Sequence, residues 1–185
     1  NVTTGQYLVP EGGSATTFGT NIISGTAVVM VNSWVAFGRG SGFGLLDMSG
    51  GLFAKVSDAG RSLIVGANGP GWITQTGGTI SNTVSQTWIS EGNTATWNMS
   101  GGSNFFGFLQ FARNGSGVAT LNFNGGTISA TEIAGGAGLA TNNYNGGTIR
   151  ARASTANFLH DLDAANVLAG GLIVDFLTLD TLAIT

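Results

Sequence analysis

A pair of adjacent glycines recurs along this 185-residue chain at a nearly fixed interval, and that phasing limits the possible folds more than any other feature. The pairs are Gly50 and Gly51, Gly77 and Gly78, Gly101 and Gly102, Gly125 and Gly126, Gly146 and Gly147, and Gly170 and Gly171. Subtracting successive first positions gives steps of 27, 24, 24, 21 and 24 residues. Such steps describe loops that vary around a unit that stays whole. A second element precedes most pairs: "WVAFGRGSG" from Trp34, "SLIVGANGPG" from Ser62, "TWISEGNTA" from Thr87, "FLQFARNGSG" from Phe108 and "EIAGGAGLA" from Glu132. "YLVPEGGSA" from Tyr7 extends the series towards the start. The unit is then a short apolar strand, a Gly/Asn turn, a second strand, the Gly pair and a third strand.

The second strand alternates with period two, which sorts its side chains between two faces. Two residues before each pair stand Met48, Gln75, Met99, Phe123, Tyr144 and Leu168, and four before stand Leu46, Ile73, Trp97, Leu121, Asn142 and Asn166. These are read as inward columns. Asp47, Thr74, Asn98, Asn122, Asn143 and Val167 lie between them and point outward. A third inward column follows the pair at Phe53, Ile80, Asn104, Ile128, Ile149 and Ile173. A unit this short cannot bury its apolar face alone, so neighbouring units must stack and pair in parallel. The expected fold is all-β: a right-handed parallel β-helix of about seven coils with roughly 24 residues per coil, the hand following the general bias of parallel crossovers. An antiparallel sandwich is the alternative, but it leaves the phased glycines unexplained. Residues 1–185 read as one solenoid domain, with 1–33 a less regular first coil. The segment "TANFLHDLDAANVL" marks 154–166 as a short helical or loop insertion.

Composition narrows the function classes. Only 8% of residues are charged, the net charge is −3, and there is no cysteine. No basic stripe exists to hold nucleic acid. No apolar run reaches the roughly 20 residues of a membrane-spanning helix. No signal peptide begins the sequence, so a secreted protein is expected to be seen here in mature or excised form.

The units "GSGVATLNFNGGTISA" and "ATNNYNGGTIRA", and the tail "ANFLHDLDAANVLAGGLIVDFLTLDTLAIT", resemble the autotransporter-associated β-strand repeat. The resemblance runs from about residue 34 to the end and is weaker over 1–33. It implies a β-solenoid belonging to large secreted or surface proteins of bacteria, as a passenger or matrix component. No translocator barrel is read in the sequence, so the autotransporter route is not expected from these residues.

Chemistry-bearing motifs are sparse. The Gly-rich turns lack the P-loop pattern and have no following helix, so they read as corners. The single histidine sits in "FLHDLD", where His160, Asp161 and Asp163 cluster, and it reads as a solvated loop. Asp47, Asp58, Glu91 and Glu132 fall at scattered phases, unlike the paired carboxylates of a glycosidase. No catalytic residue, metal ligand or cofactor is therefore expected. Of Trp34, Trp72, Trp88 and Trp97, the last falls in an inward column, while Trp72 and Trp88 are the candidate glycan contacts. Thr79, Thr127 and Thr148, with Ser103 between, form an outward hydroxyl column. Asn98, Asn122 and Asn143 suggest an amide ladder. The expectation is a structural, extracellular rod that associates end to end through its terminal coils. An adhesin-type module with a glycan or cell-surface partner is the alternative, and a polysaccharide-active enzyme or an ice-binding protein ranks below it.

Overall fold

The computed structural model describes residues 1–176 and the backbone of 182–184. Its described residues form three parallel sheets that wrap into a β-solenoid of about seven turns, with no helix. Sheet A holds eight strands, the last six of which follow the Gly-pair corners; sheet B holds eight, the short apolar strands; sheet C holds seven, the last six of which precede the corners. Every neighbouring pair is parallel, because each strand hydrogen-bonds to its counterpart one coil away. The 24-residue period is visible in the register: Ile73 faces Trp97, which faces Leu121.

The alternation places the expected columns in the core. Leu46, Met48, Phe53, Ile73, Ile80, Trp97, Met99, Leu121, Phe123, Ile128 and Ile149 are all buried. Burying each such side chain contributes roughly 1.5–3 kcal/mol. Three polar residues break these columns: Asn142, which donates to the Tyr144 hydroxyl at 3.1 Å, and Gln75 and Asn104, which are each other's partners. The Gln75 amide donates to Asn104 Oδ1 at 2.9 Å, and Asn104 returns a bond to Gln75 Oε1 at 2.9 Å. Asn104 Oδ1 also accepts from the Ile80 backbone N–H at 2.8 Å. Lys55 points inward as well; its ammonium donates to the backbone carbonyls of Ser57 and Asp58. Burial pushes its pKa down, and the Asp58 charge pulls the other way.

The two glycines of a corner serve different needs. At the second one, Gly78, φ is +72°, a left-handed conformation that strains any residue with a Cβ. At the first, Gly77, a Cβ would lie 2.5 Å from the Ser49 carbonyl oxygen of the coil beneath. Corner stacking therefore requires the small residue.

Three expectations need correction. First, 154–166 is neither helix nor loop insertion: Thr155–His160 is a strand of sheet B and Ala164–Val167 a strand of sheet C. Leu159 and His160 pair with Ile133 and Ala134, so the ladder of the preceding coil overrides the local helical composition. Second, the Gly170–Gly171 pair is out of phase. Tyr144 faces Val167 rather than Leu168, and Ile149 faces Val174 rather than Ile173. Asn166 accordingly points outward, and Ile173 is 63% exposed. Third, the first coil keeps full register, with Val2 facing Val29 and Tyr7 facing Val35. Its irregularity is confined to the turn at 10–17.

Outside the core, sheet C carries the amide ladder. Asn122 donates to Asn98 at 2.8 Å, Asn143 to Asn122 at 2.9 Å, and Asn166 to Asn143 at 2.9 Å. Thr96, Thr120 and Thr141 run beside it in register. The Thr79, Thr127 and Thr148 column lies on the outer face of sheet A and is half-buried.

Candidate functional site

The outer face of sheet B carries a groove parallel to the solenoid axis. Its floor follows from period-two alternation: Val35 and Phe37 enter the core, so Ala36 between them faces out. The register stacks Ala36 on Ile64 and Ile64 on Trp88. Ala36, Ile64 and Ala67 form a small apolar cluster against which Leu8, Trp34 and Trp88 pack. Trp34 lies two residues before Ala36 and shares its face.

Three depressions adjoin along this face. A 180 Å³ slot is lined by Trp34, Arg61, Ser62, Ile64, Trp88 and Glu91. A 410 Å³ depression continues past Trp88 towards Val84 and Phe108. A 320 Å³ depression continues past Trp34 towards Glu11, Arg39 and Asn68. The shared tryptophans make the three one groove.

Two similar clusters fix the rings. The Arg39 guanidinium lies 4.0 Å from the Trp34 ring centre and donates to Glu11 at 3.3 Å. The Arg113 guanidinium lies 3.7 Å from the Trp88 ring centre and donates to Glu91 at 3.4 Å. Cation–π contacts of this kind contribute about 0.5–2 kcal/mol. The Trp88 indole N–H donates to Gln86 Oε1 at 3.0 Å. Arg61 lies 5.6 Å from the Trp34 ring, is exposed, and among the described residues has no ion pair.

The structure separates the two tryptophans singled out in sequence. Trp88 belongs to the groove, whereas Trp72 stands on the outer face of sheet C, 44% exposed. There it meets Phe43 edge-on at 5.0 Å, and Phe43 meets Phe18 at 5.4 Å. These tilted rings cover one another and offer no flat platform. Trp97 is fully buried, as its column requires. Trp34, Arg39, Arg61 and Arg113 were not singled out as site residues. Trp34 and Arg61 come from turns outside the repeating columns, whereas Arg39 and Arg113 stand two residues past the in-register ends of their sheet B strands. The signal available in sequence for these two is that shared position, where Glu11, Arg39, Glu91 and Arg113 alternate in charge.

The acidic residues are distributed rather than paired in a cleft. Glu11 and Glu91 each hold an arginine in the groove, and Asp175 binds Arg150 at 2.8 Å on sheet A. Glu132 and Asp161 converge on His160 instead, with Nε2 3.0 Å from Glu132 and Nδ1 2.7 Å from Asp161. Burial lowers the imidazole pKa, but the hydrogen bonds and charges of Asp161 and Glu132 outweigh it and hold the pKa above the usual value. His160 is thus a clamp between the last two coils, not a free loop residue. Asp163 serves the same junction, accepting from the Ala140 N–H at 2.7 Å. Among the described residues no group of three or more His, Cys, Asp or Glu is placed to hold a metal ion, and no helix is long and apolar enough to cross a membrane.

Fold and surface together define the chain as a β-solenoid with a lateral groove. Comparison with protein-family models, curated proteins and solved structures finds no match.

Proposed function

We propose that this chain is a structural rod of a bacterial cell surface or extracellular matrix, whose copies stack end to end. One observation carries the reading: three parallel sheets run unbroken through the described coils, so each coil covers the core columns of the one before it. Val2 stacks on buried Val29 yet is 51% exposed, and Val167 stacks on buried Tyr144 yet is 63% exposed. Among the described residues, Val2–Thr4 and Ala164–Val167 are the outermost strands of sheets A and C, and a strand in that position templates further pairing. A second copy, or a further segment of a larger rod, continues both the ladders and the core. The extracellular assignment rests on the repeat resemblance and on a surface of amides and hydroxyls that is poor in charge.

Sedimentation velocity tests the assembly. The wild-type chain is expected to shift to larger species as concentration rises. The Val2→Lys, Val167→Lys double variant, which places a charge at the outermost described position of each column, is expected to stay monomeric. A wild-type chain that sediments as one small species at every concentration would contradict the reading. Immunogold labelling of intact source cells tests the location, with label at the envelope or beyond expected.

A further inference from the structure

We propose that the slot between Trp34 and Trp88 binds an acidic sugar residue of a linear polysaccharide, with Arg61 receiving its carboxylate. The slot's dimensions come from the coil spacing. Trp34 and Trp88 begin or occupy strands two coils apart in sheet B, about 10 Å along the axis. Ile64 occupies the intermediate coil and forms the floor, so the tryptophans wall the slot at its two ends. A pyranose ring fits this interval, with its C–H faces towards indole and its hydroxyls towards Ser62 and Glu91. The rings are set before any ligand arrives, since Arg39 and Arg113 hold them from one side and Gln86 holds the Trp88 N–H. Preorganisation of this kind lowers the ordering cost of binding.

Charge selects an acidic sugar over a neutral one. Arg39 and Arg113 are compensated by Glu11 and Glu91. Arg61 on the slot's rim is the groove cation with no ion pair among the described residues, so the local excess is positive although the whole chain carries −3. A guanidinium binds a carboxylate through two parallel hydrogen bonds, which favours a uronic acid. The depressions beyond Trp34 and Trp88 extend the slot past both tryptophans, one towards the turns before the sheet B strands and one towards the turns after them, which favours a polymer over a single sugar. The site lies on the rod's flank, so it stays open whether or not the ends are stacked.

Tryptophan fluorescence with a galacturonate hexamer as probe tests the proposal, with maltohexaose and a thymidine hexanucleotide as references. The galacturonate oligomer is expected to change the emission saturably while both references leave it unchanged. Arg61→Gln, at an exposed position that leaves the coil intact, is expected to weaken binding at least about tenfold. Trp88→Ala is expected to abolish the response, and Trp72→Ala to retain the wild-type affinity. No response to galacturonate, an equal response to either reference, or wild-type affinity in Arg61→Gln overturns the proposal.

Discussion

Gln75 and Asn104 show how a solenoid core tolerates polar side chains. Both are fully buried, and each amide satisfies the other across one coil step. Removing one partner leaves the other desolvated and unpaired, which costs about 1–3 kcal/mol. Asn104→Leu and Gln75→Leu are each expected to destabilise by at least that amount in urea titrations. The double variant is expected to be less destabilised than the two single effects summed, its remaining loss coming from the Ile80 N–H left without the Asn104 acceptor. Simple addition of the two single effects would show that the pair is not coupled. The glycine corners give a second residue-level expectation. Gly78→Ala meets both a left-handed φ of +72° and the Gly50 carbonyl oxygen at 2.5 Å, whereas Gly5→Ala meets nothing within 4 Å. Gly78→Ala is expected to cost about 2 kcal/mol or more and Gly5→Ala to be neutral, as thermal denaturation can compare. The sequence places Asn104 in an inward column, but does not show its partner. That partner stands 29 residues away, and only coil stacking brings the two together.

At the scale of elements, strands were legible where alternation and the Gly pair agreed, and illegible where they did not. The last pair misled because the corner before Ile173 carries extra residues: Tyr144 faces Val167 and Thr148 faces Ile173, so the corner takes 6 steps (173 − 167) where the previous one takes 4 (148 − 144). The segment Thr155–His160 has a helical composition but finds its hydrogen bonds in the neighbouring strand. His160 then ties this strand to Glu132 of the preceding coil. Its folded pKa lies above the unfolded value of about 6.5, so its stabilisation is complete below that pH and fades as pH rises through the folded pKa. Amide exchange protection over Thr155–His160, corrected for intrinsic rates, is therefore expected to fall from mildly acidic to alkaline pH. His160→Gln is expected to remove that dependence, and an unchanged profile in the variant would assign it elsewhere. The amide ladder behaves as one element too. Asn122 both donates and accepts, so Asn122→Ala breaks two rungs where Asn166→Ala breaks one. At about 0.5–1.5 kcal/mol per bond, Asn122→Ala is expected to be the costlier variant in the same denaturation assay.

For the whole molecule, the repeat period disclosed the architecture, since phased glycines and three inward columns admit few arrangements other than stacked coils. The groove was less legible because Trp34 and Arg61 come from turns. Glu11, Arg39, Glu91 and Arg113 each stand two residues past an in-register sheet B strand, but they alternate in charge with Ala67 between them, so no single residue type repeats. The central claim is that the rod grows by stacking coils of a second chain on the outermost coils of the first. Electron cryomicroscopy of concentrated protein tests it most directly. Seven coils at the parallel-strand spacing give an axial advance of about 35 Å per chain, with a continuous layer line near 4.8 Å. Filaments with that advance are the predicted result. Single short particles at every concentration, or fibres in which the chains pack side by side, would contradict it.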